Sequence, residues 1–389
     1  MTDAPSAREI LDHLVSFPTV SLDTNVPLID WVETYLDEIG VKSERLVKPD
    51  EPTKHAIFCQ VGPDVPGGVV LSGHTDVVPV EGQGWTSDPW TVTERDGRLF
   101  GRGTCDMKGF DALALHALQR ALKAGLKRPL QIALSYDEEI GCAGAPPLIE
   151  AMAKAGLPRA GAAIIGEPSM MKCVTGHKGS NGFDVHIKGH EVHSSLLHTG
   201  VSAVMEAARL IDWANVRNAE SRERVPSAIA AVFNPPWTSV HVGRIAGGTA
   251  RNITAGDCKF LMETRFVPDD DSAAWVAAFR AKVAEVEAQM KSVAPGSGIH
   301  LVPREDVPGL VPEEDGAAEK LVRKITGDNG SHVVSYGTEA GHFQAAGISS
   351  VICGPGDIAQ AHQADEFISL AQLKAGEAFL ARVIDSLCE

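Results

Sequence analysis

Short aliphatic runs bounded by glycine and polar residues constrain this chain more than any other feature. "HAIFCQV", "GVVLSG", "PLQIALSY" and "GAAII" are too brief for buried helices. They predict strands at 55–61, 68–73, 129–136 and 161–165, each apolar enough to be covered on both faces. Helical periodicity predicts helices at 6–16, 27–40, 108–124 and 143–155. "VTERDGRLF" sets an Asp96-Gly97 pair between strand-like arms, a hairpin signal. Strands buried on both faces and alternating with helices imply an α/β sheet sandwiched between helical layers.

From about residue 178 the rhythm changes. "GSNGFDVHIKG" reads as a strand, "GVSAVMEAARLIDWA" as a helix, and "SVHVGRIAGG" and "CKFLMETRFV" as strands. A long helix over 271–293 and the strand "GIHLVP" follow. That β-α-β-β-α-β order is the split pattern of a small ferredoxin-like α+β domain. Beyond 304 the α/β rhythm returns, with a helix near 315–326, strands near 332–335 and 349–353, and a closing helix at 369–387. At 389 residues the chain exceeds a typical single domain. The expected organisation is a discontinuous α/β domain (1–177 and 304–389) interrupted by an inserted one (178–303).

Charge and cysteine usage narrow the class. A net charge of −16 provides no basic footprint for nucleic acid. Seven cysteines, odd in number and without a C-x-x-C pair, read as the reduced thiols of a cytoplasmic protein. No signal-peptide h-region follows the N-terminus, and no apolar window approaches a membrane span. "GRGTCD" lacks the third glycine of a dinucleotide fingerprint, and neither a P-loop nor a G-x-S-x-G elbow occurs. Cys105, beside Asp106, reads as a buried small residue rather than a nucleophile.

"LQIALSYDEEIGCAG" poses the chemical question, because Asp137, Glu138 and Glu139 crowd together where a buried strand ends. Such a run is either a solvated turn or the neighbour of something strongly positive. Other strands end in a similar way. "GGVVLSGHTD" delivers His74 and Asp76, "LFGRGTCDMKG" presents Asp106, "AGAAIIGEPS" ends on Glu167, and "SSVICGPGDIAQAHQADEF" brings His362. In open α/β sheets ligands collect beyond the carboxyl ends of strands, so these side chains can meet. Carboxylates and imidazoles without thiolate suit Zn²⁺, Co²⁺ or Mn²⁺. There are more of them than one tetrahedral ion needs, and two ions about 3.5–4 Å apart would use the surplus.

Together, "SGHTDVVPV", "GRGTCDMKG", "DEEIG", "GEPS" and "AHQADE" resemble, in order and across the whole chain, the co-catalytic zinc amidohydrolase and peptidase family. The resemblance implies an α/β/α catalytic domain with an inserted dimerisation or lid domain. It also implies two zinc ions per subunit, with Co²⁺ or Mn²⁺ as substitutes. His74 and Glu167 would hold one ion, Glu139 and His362 the other, with Asp106 bridging. Asp76 would orient the His74 imidazole. Glu138 would be the general base toward a metal-bridging water and later return the proton to the leaving amine. His193 in "GHEVHSSLLHTG" would reach the active site of a partner subunit as an oxyanion donor, which implies a homodimer; His190 and His198 read as polar loop residues. "HEVH" is not H-E-x-x-H, so a helical zinc protease site is excluded. Asn252 and Arg265 match positions that contact substrate carboxylate or carbonyl groups, with Arg251 beside them. Glu339 in "YGTEAG" reads either as a receptor for a substrate ammonium or as a helix N-terminal acid. A non-proline cis peptide is expected at Asp106-Met107.

Within the family, "IAGGTARNITAGDC" and "YGTEAGHF" resemble the acetylornithine deacetylases. That implies release of acetate and L-ornithine from N2-acetyl-L-ornithine, a step of arginine biosynthesis. Succinyl-diaminopimelate, another N-acyl amino acid or a dipeptide are the rival substrates. A non-catalytic metal-binding protein is the rival of a different class, and Glu138 with Asp76 argues against it.

Overall fold

A computed structural model describes residues 5–304 and 306–389. The chain forms two compact units, one of Met1–Gly176, Pro312–Val333 and Thr338–Glu389, the other of His177–Val311 and Val334–Gly337. The second unit thus continues past 303 to Val311 and takes in a further short segment.

Along the first unit run α1 (Ala7–Ser16), α2 (Val26–Glu38), β1 (Ser43–Val47), β2 (His55–Val61) and β3 (Val69–His74). The hairpin β4 (Thr93–Arg95) and β5 (Arg98–Phe100) turns through Asp96 and Gly97, both at positive φ. Then come α3 (Lys108–Ala121), β6 (Leu130–Ser135), α4 (Ala145–Lys154), β7 (Ala162–Pro168) and β8 (Val174–His177). The second unit contains β9 (Gly179–Lys188), α5 (Ala203–Glu223), β10 (Ser239–Gly247), β11 (Asp257–Phe266), α6 (Ser272–Val293) and β12 (Gly298–Pro303). The first resumes with α7 (Ala317–Thr326), β13 (His332–Val334), α8 (Ala340–Ala345), β14 (Ser349–Gly354), β15 (Phe367–Ser369) and α9 (Leu370–Leu387).

An eight-stranded mixed sheet in the order β1-β2-β6-β3-β7-β14-β8-β13 organises the first unit. Its centre is parallel: β3 pairs with β6 and β7, and β7 with β14. Every residue of β3, β6 and β7 is buried, which explains their unbroken apolar runs. Helix α3 packs against α1, α9 and β3, so it too is buried on most sides. Two glycines allow this closeness. A Cβ on Gly73 would overlap the Asp111 carboxylate, and one on Gly166 the Phe110 ring. Phe110 is fully buried there, a contribution of about 1.5–3 kcal/mol for a side chain of its kind. Local capping agrees with the tertiary plan. Ser6 and Glu9 form a reciprocal capping box on α1, and Ser369 caps α9.

The second unit is a four-stranded antiparallel sheet, β10-β11-β9-β12. Along β11 buried and less buried residues alternate, with Cys258, Phe260, Met262 and Phe266 facing inward. Phe279 of α6 sits between Phe183 and Trp213, with ring centroids 5.5 and 5.3 Å away. Strand β10 is an edge whose last residues, Ile245 among them, are exposed.

Four elements escaped the sequence reading: β1, β8, β15 and α8, all short. Helix α5 also runs beyond Ala214 to Glu223, because "VRNAESRE" is a solvent-facing helical stretch supported by an Arg217–Glu220 ion pair of 2.7 Å.

Candidate metal centre

The parallel strands of the first unit end together, and each ending carries a metal-type side chain. His74 closes β3, Glu167 lies in β7, Glu138 and Glu139 follow β6, and His362 follows β14. Asp106 arrives from the loop before α3, and its peptide bond to Met107 is cis, as expected.

Asp106 lies between the two histidines. Its Oδ1 is 3.1 Å from His74 Nε2 and its Oδ2 is 3.2 Å from His362 Nε2. Behind His74 stands Glu167, with Oε1 at 3.6 Å; behind His362 stands Glu139, with Oε2 at 3.0 Å. Two groups of donor atoms lie within 4.8 Å of one another, His74 with Asp106 and Glu139, and His74 with Glu138 and Glu167. His74 and Asp106 are buried, whereas the His362 side chain is about half exposed at the rim.

The His74 ring is oriented through its other nitrogen. Nδ1–H donates to the Asp76 backbone carbonyl at 2.9 Å, which turns Nε2 toward Asp106 and Glu167. The Asp76 carboxylate is farther from the ring, at 3.6 Å. Its principal partners are the amides of Glu138 (3.0 Å) and Glu139 (3.3 Å) and the Ser21 hydroxyl (2.7 Å). Asp76 therefore supports the acidic turn as well as the imidazole. Asp137, at φ 56°, is buried and clamped by Lys54 Nζ at 2.8 Å and Lys48 Nζ at 2.9 Å. So the three clustered acids divide: one is neutralised by lysine and two turn toward the histidines.

Burial, reinforced by like-charged neighbours, pushes the Glu138 carboxyl up to about 8 and Glu139 to about 7. Glu167 moves well above the usual range for the same reasons. Burial opposes ionisation of Asp106 too, yet hydrogen bonds from His362 and His74 keep it below the usual range. Hydrogen bonds to Asp106 and Glu139 lift His362 to about 10. A concentration of buried carboxylates invites a divalent cation. The residues fit one: Glu139 Oε1 is buried without a hydrogen-bond partner, His74 turns Nε2 toward the carboxylates, and the donors are oxygen and nitrogen.

Glu339 precedes α8, but its side chain makes no cap hydrogen bond to it. It is buried, and its carboxylate accepts the hydroxyls of Ser72 (3.0 Å) and Ser135, facing the ends of β3 and β6 rather than solvent. Burial lifts it to about 7 against those hydroxyl bonds.

The remaining candidates lie in the second unit. His193 is exposed and begins a short 3₁₀ turn. Its Nδ1 accepts the Ser195 amide at 3.2 Å, so the ring proton sits on Nε2 as a donor. A bridge between His193 and Ile253, with Ser194 N–H donating to Asn252 O at 2.9 Å, sets this loop beside Arg251 and Asn252. Both of those residues are exposed. Arg265 on β11 pairs with Glu263 at 2.7 Å on the more open sheet face.

Sequence reasoning assigned no role to Arg102, Glu366 or Lys54, all fully buried. Arg102 and Glu366 lie inside the quoted "GRGTCDMKG" and "AHQADE", four residues from a candidate ligand in each case.

Comparison with known proteins identifies the family and the fold. Residues 70–386 match the model of Peptidase family M20/M25/M40. An acetylornithine deacetylase of Myxococcus xanthus is 35% identical, over 99% of this chain and 98% of the relative. One from Erwinia tasmaniensis is 33% identical over 100% and 99%. Among solved structures, an M20 family metallo-carboxypeptidase from Sulfolobus solfataricus superposes with a TM-score of 0.78 at 15% identity, covering 98% of this chain and 99% of that one. Aminopeptidase PepT from Bacillus cereus gives 0.73 at 16%, covering 98% of each.

Proposed function

The chain belongs to peptidase family M20/M25/M40, a hydrolase family, and on that premise we propose that it removes the acyl group from an N-acyl amino acid. The substrate proposed first is N2-acetyl-L-ornithine, with acetate and L-ornithine as products. The names of relatives at 30–35% identity over nearly the full chain support that choice. The observation that carries the reaction class is Asp106, whose two oxygens face two histidines, each backed by its own glutamate.

His74 and Glu167 would hold one divalent ion, Glu139 and His362 a second, with Asp106 shared; zinc is the proposed metal, two per subunit, with Co²⁺ or Mn²⁺ as substitutes. Bound there, the ions would supply Lewis acidity toward water and toward the amide carbonyl. The protein's own groups move the proton. Glu138 takes it from the attacking water as the oxygen bonds to the carbonyl carbon. It then delivers that proton to the nitrogen as the C–N bond breaks. A Cys142 thiol 3.2 Å from Glu138 Oε1 holds one carboxylate oxygen meanwhile. Asp76 steadies the Glu138–Glu139 turn through two backbone amides. His193 Nε2–H is the proposed donor to the developing oxyanion, supplied across a homodimer interface. The exposed edge of β10 and the exposed Val204, Met205 and Val216 of α5 suit such an interface. Asn252 and Arg265, with Arg251 adjacent, are assigned to the substrate's polar groups. A cytoplasmic setting is proposed from the free cysteines, and no helix among the described residues is long and apolar enough to cross a membrane.

The test is a panel of N-acetyl, N-succinyl and dipeptide substrates assayed with added Zn²⁺, Co²⁺ or Mn²⁺ and with a chelator. Fastest turnover of acetylornithine, abolished by chelation and restored by metal, is expected. Faster hydrolysis of succinyl-diaminopimelate or of a dipeptide transfers the assignment, and chelator-insensitive activity removes the metal reading.

A further inference from the structure

Arg102 and Glu366 form an ion pair of 2.6 Å in which both side chains are almost wholly inaccessible to solvent. A buried pair of this kind contributes little net stability compared with well-packed apolar residues, so its presence calls for a local reason. The remaining hydrogen bonds supply one. The Glu366 oxygen that does not meet arginine, Oε1, accepts two consecutive amides, Cys105 N–H at 2.9 Å and Asp106 N–H at 3.0 Å. It therefore fixes the backbone from which the Asp106 carboxylate projects. The second guanidinium nitrogen of Arg102 donates to Gln83 Oε1 at 2.6 Å, and Gln83 Nε2 donates to the His362 carbonyl at 3.1 Å. Arg102 Nη1 also reaches the Gln363 carbonyl at 3.4 Å. The circuit closes where Asp106 Oδ2 meets His362 Nε2.

Three loops far apart in sequence are thus locked by one guanidinium and one carboxylate. All of these bonds reach Asp106 or the His362 loop. Neither Arg102 nor Glu366 hydrogen-bonds the Glu167 side. We propose that Arg102 and Glu366 are positioning residues for the metal centre, acting through the backbone of the shared Asp106 and through the His362 loop, and that they bear more on the ion of Glu139 and His362 than on that of His74 and Glu167. This rests on the dinuclear reading above. Arginine suits the task because its rigid planar fork sets separate nitrogens against a carboxylate and an amide oxygen, where lysine offers one compact ammonium.

The experiment is calorimetric titration of Zn²⁺ into the metal-free full-length protein, with thermal melts and circular dichroism as fold controls. Wild type is expected to bind two ions in distinguishable steps. Glu366→Gln and Arg102→Lys are expected to weaken one step by roughly 10–100-fold, the range for outer partners of metal ligands, and the other markedly less, because only Asp106 is common to both. His362→Ala identifies the weakened step, since it should abolish that same one. If either buried-pair variant fails to fold, Gln83→Ala carries the test, because it cuts the link to His362 without stranding a buried charge; a smaller weakening of the same step is expected. Wild-type-like titration by the folded variants, or equal weakening of both steps, overturns the inference while leaving the two-ion reading intact. A wild type that binds fewer than two ions overturns both.

Discussion

The two units of this protein treat charge in opposite ways. In the larger, carboxylates and imidazoles are carried inward on the ends of buried strands, and each finds partners within the same unit. In the smaller, the chemically interesting residues lie on an exposed loop or the open face of a sheet, and His193 has only a neighbouring serine for its Nδ1. Inward charge raises the electrostatic stakes and fixes geometry. Outward charge is inexpensive to display and gains meaning only from what it meets. The difference teaches that the chemistry of bond cleavage can be argued from the larger unit alone, whereas recognition and oxyanion donation need a test from outside.

The hardest blow to this contrast would come through Glu138. Glu138→Gln is expected to retain metal by titration yet lose activity by about 10²–10⁴-fold, the usual worth of a positioned acid–base group. Activity close to wild type would remove the base from the larger unit. Next in size, His193→Ala should lose roughly 10²–10³ in kcat, with metal binding and thermal stability unchanged. Unaltered kcat would confine the smaller unit to assembly and sharpen the division of labour. Smaller still is a pH effect on stability. Without metal, Glu138 and Glu139 stay protonated in the folded state up to about 8 and about 7, but ionise near 4.5 when unfolded. The stabilisation is complete below pH 4.5 and is lost as the pH rises through the folded values. The melting temperature of the metal-free protein should therefore fall by several degrees between about pH 4.5 and 8. Saturating zinc should flatten or reverse that slope, because ligands bind as carboxylates. A flat profile without metal would mean that the inward charges are not strained.

Legibility from sequence followed the same inside–outside divide. Strands β2, β3, β6 and β7 were readable because burial on both faces leaves an unbroken apolar record. The alternating β11 was readable for the complementary reason, one face wet and one dry. Strand β15 and helix α8 are too short to carry a period, and β1 has no buried face to mark it. Within the site, His74, Asp106, Glu138, Glu139, Glu167 and His362 stood out because such residues are odd companions for buried strand ends. Arg102, Glu366 and Lys54 did not, since an arginine or lysine is ordinarily read as solvated. Only a partner hundreds of residues away makes burial tolerable, as for Arg102 and Glu366, separated by 264 positions. Pairing of that kind leaves no local trace. The direction in which Glu339 points was equally hidden, because it depends on two serines from two different strands.

The segment Val334–Gly337 sorts with the smaller unit although it is not continuous with His177–Val311. Its Val334 carbonyl accepts the Lys178 amide, and Ser335 donates to the Asn234 carbonyl at 2.6 Å. Anyone wishing to transplant that module between relatives to trade specificities must therefore move two pieces of chain. A graft cut only at 177 and 311 would inherit four residues shaped for the donor's discarded neighbour, and a chimera's failure would then report a bad seam rather than a wrong theory of recognition.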